Sequence, residues 1–589
     1  MTHAPEQNSV LLHDTEQQCW LCFSKPLEIH VASDVHDVIP ALSAVERRVS
    51  NDGLFAAGFV SYDAAPAMDA ALPAKHASEF PLLWFGIYDK PARVSGPRPA
   101  DDTPMPPIKW EPSVDRPTYD ACMARIRRHI EAGDIYQVNY THRLAAELPI
   151  PAWNFFARMI RAQGAGYGAY LDVGRYVICS ASPELFLHLD GKDLTSRPMK
   201  GTMPRGLGAE HDRQYAINLR ESEKEQAENV MILDMVRNDL GRVATPGSVT
   251  VPSLFDIEQY PTLWQMTSTV RCHTSAGITD IFRATFPPAS ITGAPKRRSM
   301  QIINDIEPTP RKLYTGAIGY IAPDRRAQFN VAIRTILVDR ETDVAEYGVG
   351  GGIVWDSKPQ SEFEECTTKA QVLVQSQPEF RLLETLLWEP GDGLFLLERH
   401  LDRLRGSADY FGRKIDITAI LHTLHTATAG LPQQGHKVRL LVGKDGTPEC
   451  EATPLAPLPQ PWRLGLAKSP VNRQDSFVYH KTTHRDVYEK AKQEGGECHD
   501  VLLWNTDSEL TESCIANVAL ELEGVLCTPP VHSGLLAGTY RAELLEKGEI
   551  TEKVLRVTDL ENATRIVLLN SVRKCWDAVL VARTEPRTT

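Results

Sequence analysis

The hexapeptide QSQPEF, residues 375–380, divides this chain more sharply than any other stretch. A helical pattern runs up to it and a new apolar run follows it. Its proline and polar residues suit a joint between folded parts. With 589 residues, the chain holds roughly three to four domains' worth of sequence, so a division is expected. We read two parts, 1–375 and 376–589. A second Pro-rich joint, TPLAPLPQPW (453–462), falls inside the C-terminal part, and ARVSGPRPADDTPMPP (92–107) reads as a loop in the first. Strand-like runs such as RYVICSA, LFLHL, KVRLLVG and DVLLW alternate with helical patterns such as RHLDRLRGSADYFG, so both parts are expected to be α+β.

Hydrophobic residues make up 42% and charged residues 24%, as in an ordinary globular protein. A net charge of −13 argues against a nucleic-acid binder, which usually presents a basic face. Anionic small substrates stay open, because a local site can be basic on an acidic protein. No apolar run approaches the roughly 20 residues of a membrane helix, and the opening MTHAPEQNSVLLHDTEQQ lacks the pattern of a signal peptide. Of eleven cysteines, only Cys19 and Cys22 form a close pair. With no second pair, a small apolar role is expected rather than zinc, in a reducing, cytoplasmic setting.

Two segments carry carboxylates at helical spacing. In ESEKEQAENVMILDMVRNDLGRV (221–243), Glu225 and Glu228 are three apart, so a helix puts both on one face. In QSEFEECTTKAQVLV (360–374), Glu362, Glu365 and Lys369 fall at i, i+3 and i+7. Two such helices could hold Mg²⁺, which takes oxygen ligands and keeps positions open for an anionic substrate. Spacing alone also allows two solvated helix faces. The glycines of GVGGGIVWDS (348–357) would let backbone N–H groups approach an anion, and Arg334 in FNVAIRTILV could pair with a carboxylate. In SRPMKGTMPRG (196–206), Gly and Pro constrain the backbone around Lys200. From that stretch alone an ordinary surface lysine is the plainest reading.

Taken in order, GDIYQVN (133–139), SASPELF (180–186), PMKGTMPRG (198–206), AENVMILDMVRNDLGRV (227–243), SITGAPKRRSM (290–300), YTGAIGY (314–320), AIRT (332–335), GGGIVWDS (350–357) and EFEECTTKA (362–370) closely resemble the chorismate-utilising enzymes, the group of anthranilate synthase and aminodeoxychorismate synthase component I. The resemblance spans residues 10–375. It implies a large α/β sandwich of two facing antiparallel sheets flanked by helices. It implies Glu228 and Glu365 as Mg²⁺ ligands supported by Glu225 and Glu362. Thr292, Tyr314, Arg334 and the Gly350, Gly351 and Gly352 backbone would bind the enolpyruvyl side chain of chorismate, with Lys369 a further charge near the carboxylate. Relatives that add water carry a lysine where this chain has Gln137, and anthranilate synthases carry a small residue where it has Lys200. The resemblance therefore implies amination that keeps the enolpyruvyl group, with Lys200 as nucleophile and Glu184 as the acid for the departing hydroxyl. Gln265 stands where many relatives have a histidine. Its absence agrees with that product, and drift at this position is equally open. No glutamine amidotransferase segment is visible, so ammonia is expected from solution or from a separate amidotransferase subunit.

In the second half, LLERHLDRLRGSADYFG (396–412), SFVYHKTTHRDVYEKA (476–491), TESCIANVALELEG (511–524) and SGLLAGTYRAELLE (533–546) resemble the fold-type IV pyridoxal-phosphate enzymes, which include amino-acid aminotransferases and aminodeoxychorismate lyase. The resemblance implies a two-lobed fold, Lys481 as the lysine that bonds the cofactor and takes a proton, and Glu512 as the partner of the pyridine nitrogen. It implies Arg403 and the helix start at Gly538 and Thr539 as the phosphate site. Thr385 is expected to line the site, and the domain to form a homodimer. In series the halves would turn chorismate and ammonia into 4-aminobenzoate and pyruvate. An amino-acid aminotransferase, or a second half without catalysis, is the alternative.

Overall fold

The structure, a computed structural model, describes residues 1, 3–99, 105–164, 166–372 and 378–581. It divides into two compact units, Met1–Pro204 with Ala216–Gln377, and Arg205–Tyr215 with Pro378–Thr589. The boundary expected at 375/376 lies outside the described residues, as do residues 100–104 of the Pro-rich loop.

Among the described residues, the first unit contains two ten-stranded sheets, antiparallel throughout. Their central strands are buried on both faces, and the period of two decides which core each residue joins. Val10 and Leu12 point to one cluster and Leu11 to another; Ile178 and Val177 divide in the same way. One apolar cluster lies between the sheets, joining Leu12, Leu171 and Ile178 of the first to Phe59, Ile318 and Tyr320 of the second. Beyond the first sheet, helix Ala152–Gln163 packs Phe155, Phe156 and Met159 against Tyr170 and Val177. Beyond the second, helices Val35–Asp52, Glu223–Gly241 and Ile278–Thr285 pack Val45, Ile232 and Phe282 against Phe85, Leu187 and Phe329. This is the layered sandwich the resemblance implies.

The second unit has two lobes. In the smaller, strands Leu382–Glu389, His436–Val442 and Pro448–Pro454 form most of a four-stranded sheet. Helices Leu397–Tyr410 and Ile417–Thr428 bury Leu401, Leu404, Ile420 and Leu424 on it. The larger lobe is an eight-stranded sheet in which Leu510–Ser513 also pairs with Asn517–Leu522. That contact, Glu512 opposite Asn517, closes six strands into a ring filled by Leu464, Leu502, Val518, Leu520 and Leu568. The Pro-rich joint at 453–462 connects the two lobes. No helix among the described residues is long and apolar enough to cross a membrane.

Candidate active sites

Lys200 lies on the edge strand Met199–Pro204 of the second sheet of the first unit. A bulge separates its pairing at Met199 from that at Thr202, and Gly201 adopts φ +96°, which favours glycine. Two side chains pin this strand. Asn229 donates to the Lys200 carbonyl at 3.0 Å, and Gln265 donates to the Gly201 carbonyl at 2.7 Å while accepting from the Thr202 hydroxyl at 3.2 Å. Gln265 therefore braces the lysine strand, a role its position in the sequence did not reveal.

The residues around the amine come from both sheets and both acidic helices. Gln137 sits on strand Gln137–Glu147, and Gly352 on its neighbour Val344–Ile353. A Cβ at Gly352 would overlap the Lys200 amine and the Gln137 amide together. The Gln137 side chain is fully buried, yet neither its Nε2 nor its Oε1 has a hydrogen-bond partner among the described residues. Such a group costs free energy unless a ligand supplies the bond. Burial pushes the Lys200 pKa below the ordinary range against the pull of Glu228, Glu184 and Glu365, and the Lys369 charge adds to the depression. Burial pushes Glu184 up to about 7, with the Ser290 hydroxyl, Lys200 and the Met199 backbone opposing it.

The carboxylates fall as their spacing suggests. Ser222 caps helix Glu223–Gly241, which carries Glu225 and Glu228; helix Pro359–Val372 carries Glu362 and Glu365. Burial raises Glu228 and Glu362, and their neighbours Glu225 and Glu365 raise them further. Gly201 lies against Glu225, its Cβ position 3.3 Å from the Glu225 Cβ, and Gly351 against Glu362, 3.2 Å from Oε2. Lys369 bridges Glu365 Oε1 and the Gly350 carbonyl, both at 2.8 Å. That ion pair outweighs burial, raising the Lys369 pKa and lowering that of Glu365. No group of three or more His, Cys, Asp or Glu among the described residues is already arranged around a metal position. The donor set itself suits Mg²⁺, being all carboxylate oxygen, and the raised pKa values of Glu228 and Glu362 are what a divalent cation would relieve.

Tyr314 and Arg334 are brought together by backbone bonds from Thr315 N to Ala332 O and from Ala332 N to Gly316 O, both at 2.8 Å. Thr315 and Arg334 have φ of 64° and 48°. Left-handed backbone at non-glycine residues is a form of strain that gathers at functional sites. The Tyr314 ring fills the space where Gly348 lacks a Cβ, and the Arg143 guanidinium lies 4.9 Å from its centre. Arg334 donates to Gln163 at 3.1 Å, and burial lowers its pKa. Thr292 is fully buried, its hydroxyl 3.1 Å from the Ala289 carbonyl. Sequence reasoning passed over what joins these segments. Buried Arg311 bonds Glu307 and the carbonyls of Ile291 and Asn139, so it ties the Thr292, Gln137 and Tyr314 segments into one unit.

In the second unit, a cavity of about 530 Å³ is lined by Lys481, Glu512, Arg403, Gly538, Thr539 and Thr385, among others. The Lys481 carbonyl accepts from Leu383 N at 3.0 Å, which holds the lysine beside strand Leu382–Glu389. Burial, then the charges of Arg403 and Arg485, lower its pKa to about 8. Glu512 accepts from the Tyr488 hydroxyl at 2.7 Å and from Leu536 N at 3.2 Å, and burial raises it to about 7. At Gly538, which precedes helix Thr539–Glu546, a Cβ would overlap Asn517. Arg403 donates twice to Glu384, at 2.9 and 2.6 Å, and His400 lies 2.7 Å from the same carboxylate and 3.3 Å from the Thr539 hydroxyl. Burial opposes the Glu384 charge, but Arg403 and His400 outweigh it and bring the pKa to about 2. Glu384 and His400 were not read from the sequence. The signal was present, since a carboxylate on the core-facing side of LLETLLW needs a buried partner. A low-pKa lysine, a buried carboxylate opposite it, and an arginine beside a helix N-terminus are the donor set that pyridoxal phosphate requires.

The two units thus define a multidomain enzyme with one candidate site on a double antiparallel sandwich and one cofactor-type cavity. Residues 7–375 match the family described as chorismate binding enzyme, and the chain belongs to that family. Residues 381–581 match amino-transferase class IV, a fold-type IV domain. The chain is similar to aminodeoxychorismate synthase component 1 of Salmonella typhimurium, 40% identical over 262 residues, 44% of this chain and 57% of that protein. It is also similar to anthranilate synthase component 1 of Thermus thermophilus, 37% identical over 270 residues, 46% of this chain and 58% of that one. The matches thus span less than two thirds of these relatives' length. The crystal structure of anthranilate synthase component I from Streptococcus pneumoniae, 23% identical, covers 64% of this chain and 94% of its own with a TM-score of 0.53, and so shares the fold.

Proposed function

We propose that the chain makes 4-aminobenzoate in two reactions. The first aminates chorismate to 4-amino-4-deoxychorismate. The second eliminates pyruvate from that product. The observation that carries the proposal is the enclosure of Lys200, whose amine is kept toward its neutral form beside Gln137, Glu184 and the glycine strand.

A neutral lysine is a nucleophile. It forms a bond to C2 of the substrate ring as the double bond shifts and the C4–O bond breaks. Glu184, held near pKa 7, gives its proton to the leaving hydroxyl, which departs as water. Ammonia then bonds to C4, the double bond returns, and the C2–N bond to Lys200 breaks, restoring the free amine. One hard displacement becomes two easier ones. Gln137 cannot deprotonate water at neutral pH, which supports amination over hydration. Mg²⁺, held by Glu228 and Glu365 with Glu225 and Glu362 supporting, would supply positive charge toward the substrate's ring carboxylate.

In the second reaction pyridoxal phosphate, when bound, supplies an electron sink. Lys481 Nζ takes the proton from C4 of the ring, the bond from C3 to the enolpyruvyl oxygen breaks, and pyruvate leaves as the ring becomes aromatic. Glu512 would hold a proton at the pyridine nitrogen, and Arg403 with the Gly538–Thr539 helix start would hold the phosphate. The chain is incubated with chorismate, Mg²⁺, ammonium and pyridoxal phosphate, and the products are identified. 4-Aminobenzoate and pyruvate, formed without a keto-acid acceptor, are expected. Anthranilate, isochorismate, or a requirement for a keto acid would contradict the reading. Product formed from glutamine by the pure chain would contradict the expected separate amidotransferase.

A further inference from the structure

The cavity of the second unit is lined by six basic side chains, Arg403, Lys437, Arg439, Lys481, Arg485 and Arg573, against one acidic one, Glu512. The cofactor accounts for part of this excess. Arg403 is held by Glu384 and also donates to the Ala537 carbonyl at 3.1 Å, next to the phosphate end. Lys481 would hold the cofactor's aldehyde carbon on the reading above. Arg485 donates to the Cys514 carbonyl and lies 4.3 Å from the centre of the Tyr488 ring, whose hydroxyl holds Glu512. Three cations remain without a task.

Lys437 and Arg439 are two apart on strand His436–Val442, so both point to one face, about 7 Å apart along it. That face carries Thr385 directly opposite Arg439. Arg573 comes from the other lobe, in the turn between strands Arg565–Asn570 and Lys574–Leu580. No carboxylate among the described residues lies within ion-pair distance of Lys437 or Arg573. Among the described residues Arg439 has one loose pair, 3.5 Å from Glu451, with both side chains open to solvent. Leu458, Trp462 and Trp576 line the same cavity and give it an apolar wall suited to a flat ring. A volume of about 530 Å³ is in the range of sites that enclose a ring-sized ligand.

We propose that Lys437, Arg439 and Arg573 form a carboxylate clamp drawn from both lobes, which selects a cyclic amine bearing two separated carboxylates over a simple monocarboxylate amino acid. The clamp rests on the lyase reading above and deepens it. One carboxylate meets the Lys437–Arg439 face and the other meets Arg573, while the ring lies against the tryptophan wall with its amine toward Lys481. A monocarboxylate can satisfy only one side of the clamp.

The test uses the full chain loaded with pyridoxal phosphate and titrates three stable probes by calorimetry: 3-(carboxymethoxy)benzoate, benzoate and phenoxyacetate. The dicarboxylate is expected to bind about tenfold more tightly than either monocarboxylate. In Arg439→Met and Arg573→Met that preference is expected to fall to less than about threefold, with the bound cofactor's absorption spectrum unchanged as a sign of an intact fold. Equal binding of all three probes by the parent chain, or a preference that survives both substitutions, overturns the clamp. Pyruvate release from 4-amino-4-deoxychorismate is measured on the same samples. Preference without pyruvate release keeps the clamp and overturns the lyase reading; pyruvate release without preference does the reverse.

Discussion

The Lys200 amine and the Gln137 amide both close over Gly352, each overlapping the place where its Cβ would stand, on the strand that pairs with Gln137's own. One comes from the edge strand of the second sheet and the other from a strand of the first that is paired on both sides, so Lys200 reaches from one sheet to the other. A Cβ at this position would displace both groups. Gly352→Ala is expected to lower the amination rate by about 10²-fold, as small displacements of reacting groups do. Conversion of supplied 4-amino-4-deoxychorismate should remain at the parent rate. Steady-state assays of the two half-reactions check this.

Removing Mg²⁺ with a chelator should stop chorismate consumption and leave the second reaction running. Glu228→Gln and Glu365→Gln should each abolish chorismate turnover at millimolar Mg²⁺, because each removes a proposed ligand. Normal turnover in either variant would remove that residue from the metal site.

Glu384 has the lowest carboxylate pKa at the second site, about 2, despite its burial. A folded-state pKa below the unfolded value means stability that is present above the ordinary carboxylate range and lost as pH falls toward 2. Glu384→Ala leaves Arg403 and His400 without their shared partner. Breaking such a buried pair costs about 3–5 kcal/mol, so a clear drop in the denaturant midpoint of the second unit at pH 7 is expected. The gap between variant and parent should narrow from pH 5 downward.

Lys481 must be neutral to bond the cofactor, and burial with two nearby arginines brings its pKa to about 8. The rate at which the cofactor-free chain captures pyridoxal phosphate should rise roughly fivefold from pH 7 to 8 and less than about twofold from pH 8 to 9. A lysine with an ordinary pKa would keep rising about tenfold per unit across that range. Stopped-flow absorbance distinguishes the two profiles.

Residue types at fixed offsets were readable without coordinates. Glu225 with Glu228, and Glu362 with Glu365, fall on helices as their spacing requires, and Lys481 falls in a cavity with Glu512 and Arg403. Partnerships across long loops were not readable. Gln265 could be seen only as a missing histidine, because its bond to the Gly201 carbonyl depends on the register of two strands more than 60 residues apart in sequence. The Arg311–Glu307 pair spans EPTPR, whose prolines hide an i, i+4 relationship that the fold uses outside a regular helix. Glu384 was legible in principle. Leu382, Glu384 and Leu386 share one face of a strand, and Arg403 and His400 lie three apart on the helix that packs there.

The central claim is that Lys200 and Lys481 act as covalent and proton-transferring groups in two consecutive, separable reactions. It is tested by assaying Lys200→Ala and Lys481→Ala alone and mixed, following chorismate, 4-amino-4-deoxychorismate and 4-aminobenzoate together. The expected result is that Lys200→Ala fails to aminate chorismate by about 10³-fold or more yet converts supplied 4-amino-4-deoxychorismate. Lys481→Ala should accumulate that compound and lack the absorbance of lysine-bound cofactor, and the mixture should restore 4-aminobenzoate. Amination at the parent rate by Lys200→Ala, or 4-aminobenzoate formation by Lys481→Ala alone, would contradict it.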